Sequence, residues 1–286
     1  MKRFFLLLVF ALLTTINALQ ASTLKQECSF ESKILNRTVK YAIYLPDGYD
    51  TNERTYPVLY LLHGLGDDYR GWSQQGEVQA IADRAIASGD ATQMIIVMPD
   101  GWQTWYVNQY DGKFNYEEMF FQELIPHIEQ TYRTRTEKEY RAIAGLSMGG
   151  YGSLLYALHH PELFSACCPL SAAVFTTEEL QKNGGTFPQL FEQIFGPNIT
   201  TEHWAKNSVI DLMAAMPKEQ KNAVRFRIDC GDDDFLYRGN SMLHITMRDN
   251  GIPHEYRVRN GGHSWTYWRT GLPKILVFVS QSFRRS

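Results

Sequence analysis

The chain has 286 residues, with 28 Lys and Arg against 31 Asp and Glu, a formal net charge of −3, 44% hydrophobic residues and 13% aromatics. That balance belongs to a core-forming globular protein and excludes the disordered, collagen-like and coiled-coil classes. A near-neutral charge argues against a nucleic-acid partner, which needs clustered excess basic charge. Beyond the N-terminus, no stretch carries the roughly 18 consecutive apolar residues of a membrane span.

The N-terminus reads as an address. Lys2 and Arg3 precede an unbroken apolar run over 4–13, then polar Thr14, Thr15 and Asn17, with small Ala18 and Ala21 as cleavage points. This is the pattern of a secretory signal peptide, and its apolar run is too short to span a membrane. Residues 1–21 are therefore set aside, and 22–286 are expected to form one domain, exported to a periplasm or the outside of the cell. Export places the four cysteines, Cys28, Cys167, Cys168 and Cys230, in a compartment where disulfides can form. Metal spacing of the C-x-x-C type is absent. They are expected to be small buried hydrophobes, with one bridge from Cys28 at most.

Strand-length apolar runs then alternate with helical patterns, the signature of a sheet with helical crossovers. Residues 39–45 alternate as a strand and end at a Pro-Asp-Gly turn, while 58–62 and 94–98 are continuous apolar runs, as expected of strands buried on both faces. Residues 120–132 carry a helical stripe, 142–144 a further buried strand, 149–159 a helix and 164–170 another strand. Residues 172–218 break the rhythm and are expected to form an insertion over one end of the sheet. Strands resume at 224–230 and 254–258, and a terminal helix is expected over 273–283.

Chemistry enters at Gly145-Leu146-Ser147-Met148-Gly149, a G-x-S-x-G pentapeptide between a buried strand and a helix. Flanking glycines allow the sharp, strained turn that lifts a serine to the top of a sheet. A serine hydroxyl is a weak nucleophile without a base. Of the eight histidines, His263 alone sits in a loop after the last strand, preceded by Gly261 and Gly262, and is expected to be that base. The orienting acid should follow the penultimate strand, where Asp232, Asp233 and Asp234 stand in a row. The third is best placed to reach inward, anchored by Phe235 and Leu236, with Asp233 next. Acyl transfer also needs donors for the developing oxyanion. The N–H of Met148 should supply one, and that of Leu65, in the loop after the strand at 58–62, the other. His63 is expected to brace that loop rather than move protons.

With His63-Gly64-Leu65-Gly66-Asp67-Asp68, Gly145-Leu146-Ser147-Met148-Gly149-Gly150, Gly231-x-x-Asp234-Phe235 and Gly262-His263-x-Trp265, the chain resembles the α/β-hydrolase esterases of the esterase D type. That group includes feruloyl and acetyl-xylan esterases, tributyrin esterases, S-formylglutathione hydrolases and mycolyltransferases. The resemblance covers about residues 33–283 and implies an α/β-hydrolase fold: a mostly parallel twisted sheet, helices on both faces and a short insertion over the site. It also implies a Ser147–Asp234–His263 triad with a Leu65/Met148 oxyanion hole and no metal or organic cofactor.

Trp102, Trp105, Tyr106 and Asn108 follow the strand at 94–98, so they should lie at its carboxyl end, where open α/β sheets bind ligands. Trp105 and Trp265 are the candidate substrate contacts, able to stack on an aromatic acyl group or a sugar ring. Phe175, Phe187, Phe191 and Trp204 of the insertion are expected to wall an acyl pocket. The resulting expectation is a serine carboxylesterase acting on a small or carbohydrate-linked ester, with feruloyl esters of plant polysaccharide ahead of acetyl ones. An acyltransferase, a short-chain esterase or thioesterase, a peptidase and a non-catalytic binding protein are the rivals. Asn36-Arg37-Thr38 and Asn198-Ile199-Thr200 match the glycosylation triplet, which matters only in a eukaryotic secretory route.

Overall fold

In the computed structural model, which describes residues 22–183, 188–197 and 201–284, the apolar runs assemble into one eight-stranded sheet. Its strands are β1 (Thr23–Ser32), β2 (Arg37–Leu45), β3 (Val58–Leu62), β4 (Ile95–Pro99), β5 (Arg141–Leu146), β6 (Ala166–Leu170), β7 (Arg225–Gly231) and β8 (His254–Arg259). They lie in the order β1-β2-β4-β3-β5-β6-β7-β8. From β4 to β8 all neighbours are parallel, and β1 and β2 form an antiparallel flank on β4. The expected signal peptide and the triplet at 198–200 lie outside the described residues.

The two-residue period of a strand divides each run between two cores. Val58, Tyr60 and Leu62 of β3 face one side of the sheet, and Leu59 and Leu61 the other. Four helices cover these faces: α1 (Val78–Ala87), α2 (Met148–His159), α3 (Tyr237–Asp249) and α4 (Trp265–Phe283). Helices α2 and α3 share the first core with the helical path through Tyr116–Met119, Phe120–Leu124 and Ile125–Thr131, while α1 and α4 fill the second. Each fully buried Leu or Ile is worth roughly 1.5–3 kcal/mol by transfer from water, which is why such runs are stable only between two helical layers.

Several expectations need correction. Strand β1 was not anticipated, because an edge strand with one half-exposed face, Thr23–Ser32, carries little apolar signal. The helix expected at 120 begins at Tyr116 and widens to a π turn over Phe120–Leu124. That turn lies just before Pro126, which has no N–H to continue the regular ladder. The terminal helix starts at Trp265, well before Pro273: Ser264 caps it by accepting from the Tyr267 N–H, and Pro273 is carried inside it. All four cysteines are free thiols. Cys167 and Cys168 point into opposite cores, and Cys28 of β1 faces the Tyr132 hydroxyl at 3.8 Å, so no bridge forms there.

The stretch at 172–218 contributes helices Thr177–Asn183, Pro188–Phe195, Glu202–Asn207 and Val209–Ala214 between β6 and β7. His159, the last residue of α2, ties it to the body. Its Nδ1 lies 2.6 Å from Glu117 Oε1 and its Nε2 lies 2.8 Å from the carbonyl of Lys206. Both partners accept only, so the ring satisfies both when it carries two protons. Burial works against the charged imidazole, but the Glu117 carboxylate outweighs it and holds the His159 pKa above its ordinary value. A raised folded-state pKa contributes stability that is whole below the unfolded value and is lost as pH rises through the folded one. Thermal unfolding of the wild type beside His159→Leu is therefore expected to show the largest wild-type advantage near pH 6, narrowing by pH 9. A constant difference across that range would contradict the tie.

Candidate active site

The turn between β5 and α2 is as sharp as the pentapeptide requires. Ser147 stands there at φ 53°, ψ −117°, a backbone conformation that costs an L-residue about 1–3 kcal/mol. It is held from both sides: the Ser147 N–H donates to Leu170 O at 2.9 Å, and the Ala173 N–H donates to Ser147 O at 2.9 Å. Gly149 lets α2 press against β3, since a Cβ there would lie 2.5 Å from the carbonyl oxygens of Leu62 and His63. The serine hydroxyl thus sits at the carboxyl end of the parallel strands, where α/β sheets expose their ligand crevice.

Two loops bring the partners. The Ser147 hydroxyl meets His263 Nε2 at 3.0 Å, and His263 Nδ1 lies 3.1 and 3.0 Å from the two oxygens of Asp234. Asp234 is buried, whereas Asp232 and Asp233 are exposed. Asp232 has a local task, accepting the N–H groups of Gly261 and Asp233. Burial pushes the Asp234 carboxyl up, but hydrogen bonds from His263 and the Leu236 N–H outweigh it and hold the group below the usual carboxylate range. Leu236 is buried as expected of an anchor, but Phe235 is 68% exposed and lies against His263, with ring centroids 4.6 Å apart. Phe235 is a surface of the site rather than a root for the loop.

His63 is 1% exposed and fixed in one tautomer. Its Nε2 accepts the Gly101 N–H at 2.7 Å, so Nδ1 carries the proton and donates to the Gly64 carbonyl at 2.8 Å. In a planar trans peptide, C=O and the following N–H point in opposite directions. Gripping the Gly64 carbonyl therefore turns the Leu65 N–H away from His63. Met148 opens α2, so its N–H has no acceptor within the helix. Leu65 and Met148 line one cavity together with Ser147.

That cavity, of about 80 Å³, is an apolar slot walled by Leu65, Trp105, Ala173, Phe175, Phe191 and Phe235. Trp105 reaches it from a strained loop: Trp102, Trp105 and Tyr106 all have positive φ. The Trp105 ring lies 4.9 Å from that of Phe191, and its indole N–H is buried with no acceptor among the described residues. A second cavity, wider at about 450 Å³ and open to solvent, lies along Gly66, Asp67, Gln75, Ser147, His263 and Trp265. Trp105 and Trp265 thus stand on different sides of Ser147. Trp204 stands behind the slot, packed on Phe195 at 5.2 Å, and Phe187 lies outside the described residues. Trp102 packs on Phe114 and Tyr116, and Tyr106 is core, donating to the His63 carbonyl; neither lines either cavity. Gln75 and Asp67, which sequence reasoning passed over as ligand-facing groups, have no signal beyond following the loop at 63–66.

This arrangement defines an α/β hydrolase with a hydrogen-bonded Ser, His and Asp at the end of its sheet. Residues 32–279 match the Esterase family model, described as "Putative esterase", and the chain belongs to that family. It is 36% identical over 163 residues to an endo-1,4-beta-xylanase/feruloyl esterase of Xylanibacter ruminicola, an alignment covering 54% of this chain and 22% of that protein. It is 32% identical over 246 residues to esterase Rv1288 of Mycobacterium tuberculosis, covering 77% of this chain and 51% of the relative. The chain thus spans about a fifth and a half of the lengths of these two relatives. A solved ferulic acid esterase superposes with a TM-score of 0.81 at 34% identity, over 92% of this chain and 99% of that one.

The loops bearing Asp234 and His263 touch through their backbones: a Cβ on Gly231 would lie 1.9 Å from the Gly261 carbonyl oxygen. Gly231→Ala must push them apart and is expected to destabilise the fold by about 1–3 kcal/mol, as overpacking does. Denaturant unfolding checks this, and an unchanged midpoint would show that the loops can separate freely.

Proposed function

We propose that the protein is a serine carboxylesterase that splits acyl esters through an acyl-enzyme. The observation that carries this is the unbroken set of contacts from Asp234 through His263 to the Ser147 hydroxyl, with Leu65 and Met148 lining the same cavity. Ser147 Oγ attacks the ester carbonyl as its proton passes to His263 Nε2. The carbonyl electrons move onto oxygen, which the N–H groups of Leu65 and Met148 stabilise, one such donor being worth roughly 10²–10³ in rate. As the carbonyl re-forms, the bond to the alcohol breaks and His263 returns the proton to the departing oxygen. Water then attacks the acyl-serine with His263 as base, releasing the acid and restoring Ser147. Asp234 keeps the Nδ1–H tautomer and stabilises the imidazolium.

The same proton transfer assigns the two cavities. The leaving oxygen must lie within reach of His263 Nε2, so the alcohol occupies the wide cleft that His263 and Trp265 border, and the acyl group the slot on the other side. A cleft with an indole face, an amide at Gln75 and a carboxyl at Asp67 suits a sugar alcohol. A slot walled by Trp105, Phe175 and Phe191 suits an aromatic acyl group. Feruloyl esters on plant polysaccharide fit both, in keeping with the feruloyl esterase activity in the names of the similar proteins. The basic and apolar N-terminal pattern supports export of the mature chain, and no helix among the described residues is long and apolar enough to cross a membrane.

Purified protein is expected to hydrolyse methyl ferulate and, less well, p-nitrophenyl acetate, with Ser147→Ala losing on the order of 10⁶ in kcat. Full activity in Ser147→Ala would refute the nucleophile. Trp105→Ala, which removes the largest ring from the slot's wall, is expected to lower kcat/KM for methyl ferulate relative to p-nitrophenyl acetate by roughly tenfold or more, the scale of losing a large apolar contact. Equal losses on both esters would place the aromatic acyl group elsewhere.

A further inference from the structure

The wide cleft beside Ser147 carries a charge that ester hydrolysis itself does not require. Its wall is formed by the turn at 64–67, Gln75, Leu146, Ser147, the segment 263–265 and Trp268. That wall holds one fixed charge, the Asp67 carboxylate, and no lysine or arginine. The cations on neighbouring turns are committed: Arg70 pairs with Asp68 at 2.6 Å, and Arg269 donates to the Gln75 carbonyl at 2.9 Å and lies 3.6 Å from Glu77. His63 accepts the Gly101 N–H through Nε2 and is neutral. Asp67 itself pairs with no cation among the described residues. The Asp68 N–H donates to its Oδ1 at 2.9 Å, and a Cβ on Gly71 would lie 2.0 Å from its Oδ2, so the carboxylate is lodged against bare backbone where it borders the cleft. Burial raises its pKa, with the Asp68 N–H opposing. The half-buried group is short of donors, which a substrate hydroxyl supplies.

We infer that Asp67 sets the alcohol specificity of the esterase: its carboxylate accepts a hydroxyl of a neutral sugar and repels anionic alcohols and thiols. This rests on the assignment of the alcohol to the wide cleft given above, and adds to it the charge of that alcohol. A hydroxyl donated to a carboxylate makes a charge-assisted bond, stronger than one between neutral groups. A second anion in the cleft meets the opposite outcome, because walls of low dielectric such as Leu146, Trp265 and Trp268 screen like charges less than bulk water does. Gln75 contributes an uncharged amide to the same wall, so the sign of the preference comes from Asp67. Asp232 and Asp233 are exposed on the turn against the histidine loop but do not line the cleft.

The test compares chlorogenate, whose alcohol (quinate) bears a carboxylate, with its methyl ester, in which the same ring is neutral, reading caffeate release from both. Wild type is expected to favour the methyl ester in kcat/KM by about five- to fiftyfold at low ionic strength, the span of two like charges a few ångströms apart near a protein surface. That factor should fall by about half or more in roughly 1 M salt, where the screening length shrinks to about 3 Å. Asp67→Asn keeps the size, removes the charge and should narrow the ratio to within about twofold. On the feruloyl ester of arabinose relative to methyl ferulate, Asp67→Ala should lose about tenfold or more in kcat/KM, the range of a hydrogen bond to a charged group. Equal turnover of chlorogenate and its methyl ester by wild type, or an unchanged ratio in Asp67→Asn, would overturn the inference, the latter placing the repulsion on Asp232 or Asp233. Thermal midpoints identify a variant that has lost its fold, and Asp67→Ser, smaller and also neutral, then carries the same comparison. If Asp67→Asn instead alters the preference for methyl ferulate over methyl acetate and leaves the chlorogenate ratio unmoved, the acyl group lies in this cleft and the cavity assignment falls. A folded wild type that turns over no ester overturns the esterase reading itself, an outcome distinct from any of these ratios.

Discussion

The site depends on one unfavourable backbone conformation. Ser147 occupies φ 53°, ψ −117° at the only point where β5 can turn directly into α2 and leave its hydroxyl facing outward. Nothing local stabilises that state. It persists because the carbonyl of Leu170 and the N–H of Ala173 clasp the serine backbone, and because α2 is pressed onto β3 through Gly149. The strain is thus offset by tertiary structure: strands β3, β5 and β6 must all be in register before Ser147 can hold this conformation. A sheet whose central strands are buried on both faces supplies that rigidity.

The second requirement is electrostatic. A carboxylate as buried as Asp234 stays ionised only when donors face it, as the Leu236 N–H and His263 Nδ1 do. The neighbouring Asp229 plays a mechanical part in the same region. Its oxygens accept the Tyr267 hydroxyl at 2.6 Å and the Arg259 guanidinium at 2.9 to 3.1 Å. Arg259 precedes His263 and Tyr267 follows it, so one buried carboxylate on β7 pins both ends of the histidine loop to the strand that delivers Asp234. Catalytic side chains on loops gain precision in this way from the scaffold beneath them.

Much of this was legible in the sequence because the underlying rules are local. Short continuous apolar runs marked β3 and β4, and a glycine-flanked serine between strand and helix marked the elbow. His263 stood out as the one histidine in a loop after the last strand, and the choice of Asp234 among three aspartates agrees with its burial. What escaped had no local signature. Strand β1 is an edge with alternating polarity too weak to read, and the start of α4 at Trp265 was hidden by Pro273, a residue that ordinarily ends helices but is here carried by packing on the sheet. Phe235 was read as an anchor from its hydrophobicity alone, whereas burial depends on which way the turn faces.

The central claim is that His263 and Asp234 make the Ser147 hydroxyl a nucleophile in the folded protein. Intact-mass and peptide-mass analysis after exposure to a fluorophosphonate probes this directly, because the reagent bonds to an activated serine without needing the correct substrate. The account predicts one adduct per chain, on the peptide containing Ser147, and none in the His263→Ala variant. A folded protein that stays unmodified, or an adduct on another serine, would contradict it.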